Sequence, residues 1–240
     1  MTDHNCFIGK WPFYRLDGSF SSLCEEHAQS GVTNGYVSSL ESVFYNDFYE
    51  SERELYTVIK NSSYKHTVIP NPRVQGCEIT LERCLDEFDV QGIRLVPGYH
   101  GYSLSDDRLE SIINQARINN LPIFINARLT DERMTHILHP AVPTAEEIAD
   151  FLNRAEGVRV VLCYLKDHEA DAVFKKCKDK KNLFFDVSGM TGSLLDNTPE
   201  YINRCVLGTC FPLRTVRSSV MRIERELNCE LQNEILNAKI

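Results

Sequence analysis

The 240-residue sequence is short of several things that would have named a function class directly. It has no excess of basic charge: 34 Asp and Glu outnumber 26 Lys and Arg, for a formal net charge of -8. A nucleic-acid or anionic-membrane partner, which calls for a basic face, is therefore not expected. No apolar run approaches the ~18 residues that span a bilayer. The first residues carry Asp3 and His4 rather than a basic stretch followed by an apolar one, so no export signal is read and a cytoplasmic location is expected. There is no C-x-x-C pair among the nine cysteines, which removes the usual structural zinc site. Reduced, mostly buried thiols are expected at Cys24, Cys77, Cys84, Cys163, Cys177, Cys205 and Cys229. Neither G-x-G-x-x-G nor a P-loop occurs, which leaves nucleotide binding without support.

What is present is a regular alternation. Eight short apolar runs read as strands: Cys6 to Gly9, Gly35 to Leu40, His66 to Asn71, Gly92 to Val96, Leu121 to Asn126, Val158 to Leu165, Asn182 to Ser188 and Arg204 to Thr209. Their Val, Ile, Leu and Phe content suits strands buried on both faces. Amphipathic stretches separate them. Leu109, Ile112, Ile113 and Ala116 fall on one helical face, and Thr144 with Glu147 three positions on makes a capping box closed by Gly157. YESERELYTVIK, ITLERCLDEF and DHEADAVFKKCKDKK read as further helices. Strands alternating with helices predict parallel βαβ units, and eight of them predict a closed (β/α)8 TIM barrel in a single domain, residues 1–240. An open doubly wound sheet is the alternative. In a barrel, function belongs to the loops that follow the strands.

Several stretches at those positions resemble a known family. DHNCFIGKWPF is similar to the first strand, D-x-H-x-H-x-G, of the amidohydrolase superfamily, in its amidohydrolase-related branch of predicted metal-dependent hydrolases. QGIRLVPGYHGYSL resembles its fourth strand, LPIFINARLTDERMTHIL its fifth, VVLCYL its sixth, FFDVSG its seventh, and GTCFPL its G-S-D-x-P at the eighth. ILNAKI resembles the closing helix. The resemblance implies hydrolysis or decarboxylation of a small molecule. It also implies metal ligands where this chain has none: Asn5 and Phe7 stand in place of the strand-one histidines, Asn126 and Tyr164 near the strand-five and strand-six positions, and Cys210 in place of the strand-eight aspartate. Phenylalanine has no donor atom, and a neutral amide oxygen suits zinc poorly. No cofactor is therefore expected; the alternative is one divalent metal such as zinc at an altered site built from Asp3, His4, His100 or Asp186.

The remaining chemistry is assigned to a few side chains, each with a plainer alternative. Arg94, alone in an apolar strand, is either a clamp for a substrate carboxylate or half of an internal ion pair with Asp186. His100, between glycines in the loop after strand four, is a general acid or base, or a solvated loop residue. Asp186 is the candidate general base or water-positioning group, or a structural partner. Arg128 is expected to contact substrate ahead of Arg133. His136 and His139 have a metal-capable spacing but no third ligand. Cys210 is a nucleophile or a neutral filler. Trp11 forms an apolar wall, and Asn5, Asn126 and Tyr164 complete the substrate-binding set. The predicted activity is hydrolysis of a carboxylate-bearing lactone, ester or amide without the usual metal. The alternative is an inactive barrel that binds a small anion or a protein. A homodimer is plausible on general grounds.

Overall fold

The computed structural model describes residues 1–131, 140–192, 200–238 and 240. Glu132, Arg133, His136 and His139 lie outside the described residues. The eight expected strands are all present: β1 (Thr2–Ile8), β2 (Asn34–Ser39), β3 (Lys65–Val68), β4 (Val90–Leu95), β5 (Ile123–Asn126), β6 (Val160–Cys163), β7 (Leu183–Asp186) and β8 (Cys205–Val206). They pair in parallel in that order. Closure comes from β8 and the segment after it: His4 N donates to the Leu207 carbonyl at 2.8 Å, Cys210 N to that of Asn5 at 2.6 Å, and Phe7 N to that of Phe211 at 2.9 Å. The chain is thus the (β/α)8 barrel its sequence predicts.

The outer layer is made by α1 (Phe20–Gln29), α2 (Tyr49–Ile59), α3 (Cys77–Glu87), the single turn α4 (Pro97–His100), α5 (Leu109–Ile118), α6 (Ala145–Arg154), α7 (Asp167–Lys176), α8 (Val216–Glu226) and α9 (Cys229–Leu236). The local signals hold. Leu109, Ile112, Ile113 and Ala116 are the buried face of α5, and Thr144 and Glu147 form the reciprocal capping box of α6. Of the cysteines expected in the interior, Cys229 is exposed and Cys24 half-buried, because each sits on the outward side of an outer helix; no disulfide joins any of them. Among the described residues, no helix is long and apolar enough to cross a membrane.

One irregularity sets the interior. Asp3 pairs with Gly35 and Cys6 with Val37, so β1 carries one residue more than β2 over that interval. Such a bulge breaks the two-residue alternation of facing. Asp3 and Cys6 consequently both meet α1, where their ligand atoms and those of His27 lie within 4.8 Å of one another. Asn5 and Phe7 point inward.

Candidate functional site

The barrel interior is stacked in three tiers. Toward the amino ends of the strands Tyr36, Phe124, Val161 and Val206 form an apolar floor, with Ala238 and Ile240 packed against it. At the carboxyl ends Phe7, Trp11, Leu40, Val43, Ile69, Val96, Leu129, Tyr164 and Cys210 form a second apolar cluster. Between them is Arg94, which has no exposed surface.

Every N–H of the Arg94 guanidinium has an acceptor. Nε donates to Ser38 Oγ at 2.8 Å. Nη1 donates to Asn5 Oδ1 at 2.7 Å and to Asn126 Oδ1 at 2.6 Å, with Cys163 Sγ at 3.9 Å. Nη2 reaches the carbonyls of His4 and Tyr36 at 3.3 and 3.4 Å. The guanidinium carbon also lies 4.7 Å from the Phe7 ring centre and 5.0 Å from that of Phe124, a favourable place for a desolvated cation. In this arrangement Arg94 has no N–H to offer a substrate.

Nor does Arg94 pair directly with Asp186. The link runs through two neutral side chains: Asn5 Nδ2 donates to Ser188 Oγ at 3.3 Å, and Ser188 Oγ to Asp186 Oδ1 at 2.6 Å. Oδ1 also accepts from Tyr164 N at 3.2 Å and Ser188 N at 2.8 Å. Oδ2 is buried with no partner among the described residues, facing Gly208, where a Cβ would lie 2.5 Å from it. Burial outweighs the hydrogen bonds and holds the Asp186 carboxyl above the ordinary aspartate range.

The mouth is divided. Over β1 to β5 it is covered by the apolar cluster, in which Trp11 packs edge-on against Phe13, Tyr14, Phe44 and Tyr99. Among the described residues it opens over β5 to β8 into a cavity of about 320 Å3 lined by Arg128, Asp131, Tyr164, Lys166, Gly189, Thr191 and Arg214. Arg128 is anchored by both oxygens of Glu169, at 2.8 and 2.5 Å, and by the Tyr164 carbonyl at 3.0 Å. Arg214 donates to the Ser188 carbonyl at 2.7 Å and lies 3.5 Å from the Tyr164 hydroxyl. Among the described residues its guanidinium meets only neutral acceptors. Tyr164 and Cys210 both hold left-handed backbone, φ 59° and 58°. For non-glycine residues that is strained by about 1–3 kcal/mol each, and such strain clusters at functional sites.

The residues named from sequence thus fall into three places. Asn5, Arg94 and Asn126 form the buried tier, joined to Asp186 through Ser188. Arg128 and Tyr164 line the open cavity. Trp11 and Cys210 belong to the apolar cover, and His100 lies beside it. His100 is not on a solvated loop: the turn α4 buries it, its Nε2 sits 3.2 Å from the Val43 carbonyl, and burial lowers its pKa to about 4. Burial also pushes the Cys210 thiol up, and its Sγ faces the Leu129 carbonyl, surroundings that favour the protonated thiol. Ser38, Ser188 and Lys166 stand at the strand ends where function is expected but receive no individual role from the sequence, Cys163 is expected only as a buried thiol, and Arg214 is not singled out. Arg214 stands one residue past the GTCFPL stretch that carried the resemblance.

These side chains do not fit a divalent metal at the strand ends. Phe7 has no donor, Cys210 keeps its proton, and the oxygens of Asn5 and Asn126 are already turned on a cation. Among the described residues, His4, His100 and Asp186 join no cluster of three ligand atoms. Asp3, Cys6 and His27 do approach one another, but on the helix side of β1. There Asp3 already accepts from Asn5 N, Thr209 N, Thr209 Oγ1 and His27 Nε2, and burial keeps the Cys6 thiol protonated.

No family model and no curated protein matches the sequence. Solved structures do match. A putative amidohydrolase from Staphylococcus aureus is 9% identical, covers 98% of this chain and 96% of its own, and has a TM-score of 0.67. The 2,6-dihydroxybenzoate decarboxylase from Rhizobium is 12% identical over 98% of this chain and 94% of its own, TM-score 0.67. A probable 2-pyrone-4,6-dicarboxylic acid hydrolase from Acinetobacter baumannii, solved with citric acid bound, is 11% identical over 98% and 96%, TM-score 0.64. The chain thus shares its (β/α)8 barrel fold with these solved structures, a putative amidohydrolase, a decarboxylase and a probable hydrolase among them.

Proposed function

We propose that this barrel binds a small organic carboxylate in the cavity between the ends of β5, β6, β7 and β8. The observation that carries it is the convergence of Arg128, Lys166 and Arg214 on one cavity of about 320 Å3 beside the Tyr164 hydroxyl. That size is in the range of small-ligand sites, at the face where barrels of this kind place them. A guanidinium matches a carboxylate with two parallel hydrogen bonds. Arg214 is the group best placed to supply them, since Arg128 is already committed to Glu169. The citrate-bound hydrolase fits the same ligand class. Titration calorimetry with citrate, benzoate and phthalate tests this. At least one should bind, and Arg214→Ala should weaken it by about tenfold or more, or ~1.4 kcal/mol. Wild-type protein that binds none of the three at millimolar concentration removes the proposal.

A hydrolytic reaction on such a ligand is supported by Asp186. Its carboxyl has an oxygen without a partner among the described residues, and burial raises its proton affinity, which suits a group that takes up and returns a proton. It touches the cavity wall through the Tyr164 backbone. With a carboxylate-bearing lactone or ester that is turned over, Asp186→Asn should lower kcat by about 100-fold or more while leaving binding of the same compound nearly unchanged. Equal turnover by the variant would take Asp186 out of the chemistry.

A further inference from the structure

We infer that the Arg94 guanidinium is the resident cation of this barrel: it sits among the side chains that the family resemblance equates with metal ligands, and it bars divalent ions from that position. Asn5, Phe7 and Asn126 occupy three of those places in the sequence, and all three touch the guanidinium, two through oxygen and one through its ring. The acceptors around it are side-chain amide and hydroxyl oxygens, backbone carbonyls and the Cys163 sulfur, with no carboxylate among its partners in the described residues. That is a donor set matched to a single, spread positive charge carrying five N–H groups. A divalent ion there would displace those bonds and face an immovable like charge a few ångströms away. The guanidinium also does what a structural ion does in such a place: it ties β1, β2 and β5 to β4 by side-chain hydrogen bonds, since Asn5, Ser38 and Asn126 belong to three different strands. The inference is independent of what the cavity at the mouth binds.

Wild-type protein, dialysed against zinc or manganese and then against buffer alone, gives the first test by elemental analysis. Far less than one equivalent should remain, and neither ion should raise Tm. One tightly held equivalent, lost on Asn5→Ala and Asn126→Ala, would overturn the inference. The second test uses variants. Arg94→Met should lower Tm by about 8 °C, because removing the donor leaves buried oxygens unsatisfied. Arg94→Lys, which keeps a cation with fewer donors, should retain more stability than Arg94→Met. In Arg94→Ala, guanidinium chloride far below denaturing concentration should raise Tm more than sodium chloride at equal ionic strength. If Arg94→Lys is no more stable than Arg94→Met, or guanidinium does no better than sodium in a folded Arg94→Ala, the side chain is an ordinary core residue and the inference fails. Should Arg94→Ala not fold, the lysine and methionine pair and the wild-type metal analysis still decide it.

Discussion

Asp3→Ala is expected to be the most damaging single change in the chain, costing about 4 kcal/mol and roughly 8–16 °C of Tm for a protein of this size. Asp3 has no exposed surface and accepts four hydrogen bonds. Oδ1 takes Asn5 N and Thr209 N, both at 3.0 Å; Oδ2 takes Thr209 Oγ1 at 2.5 Å and His27 Nε2 at 3.1 Å. Thr209 follows β8, and His27 lies on α1, so one carboxylate joins the first strand to the last and both to the helix outside. Alanine leaves those donors buried without acceptors, which is costlier than the loss of the bonds themselves. His27 would also lose its anion while its Nδ1 stays 2.8 Å from the Tyr64 hydroxyl. Burial alone would raise the Asp3 pKa, but the His27, Thr209 and Asn5 bonds outweigh it and leave the carboxyl below its usual value of 3.8. Its stabilisation is therefore fully present above the unfolded pKa and is lost only as pH falls through the lower, folded one. Denaturant melts of Asp3→Ala against wild type at neutral pH check the claim. A loss under ~1 kcal/mol would mean that closure of the sheet does not depend on this side chain.

Stability should fall steeply between about pH 6.5 and 4, well before Asp3 protonates. The causes are His4 and His100. Burial lowers each from 6.5 to about 4; for His4 the Leu207 carbonyl and the Asp3 charge offset part of that, and Lys65 adds to it. A histidine whose folded pKa lies below its unfolded value favours folding fully above the unfolded pKa and loses that contribution as pH drops toward the folded one. The unfolded chain then binds protons the native state refuses. Two such groups give a slope of up to ~2.7 kcal/mol per pH unit and of order 3 kcal/mol each across the window. Both together remove roughly 4 kcal/mol by pH 5 and about 6 kcal/mol by pH 4, a large share of the 5–15 kcal/mol typical of whole domains. Urea melts from pH 7.5 to 5 measure the slope, and His100→Gln should roughly halve it. A flat profile over that range would show that both rings accept a proton without opening the fold.

The fold was readable because its signals are local or repetitive. Strands such as β5 and β6 are unbroken apolar runs, as burial between interior and helices requires, and the Thr144 and Glu147 box marks one helix start without reference to anything distant. The functional end was less readable, for identifiable reasons. Arg94 meets Asn5 and Asn126, 89 and 32 positions away, and nothing in a one-dimensional pattern ties those three together. The ion pair with Asp186 that the sequence left open is replaced by a relay, because Asn5 and Ser188 stand between the cation and the carboxylate. His100 looked like a loop residue because glycines flank it; Pro97 instead starts a helical turn that swings the ring inward. The resemblance sets Tyr164 near the strand-six position, yet Cys163 is the residue that faces Arg94, while Tyr164, with its left-handed backbone, lines the cavity. Arg214 had no signal at all beyond its nearness to the last motif.

The additional residue in β1 reaches further than the strand itself. Counting from either end gives opposite answers for which side chains look inward, so the count of residues between Asp3 and Cys6 decides whether the chain's opening segment offers its amides or its acid to the centre. Deleting one residue there would exchange the two, sending a carboxylate toward Arg94 and stripping α1 of its anchor. Superposing this strand on an unbulged homologue by position number would misassign every side chain on one side of the insertion, and grafting two histidines at positions 5 and 7 would meet a core already wired around a guanidinium.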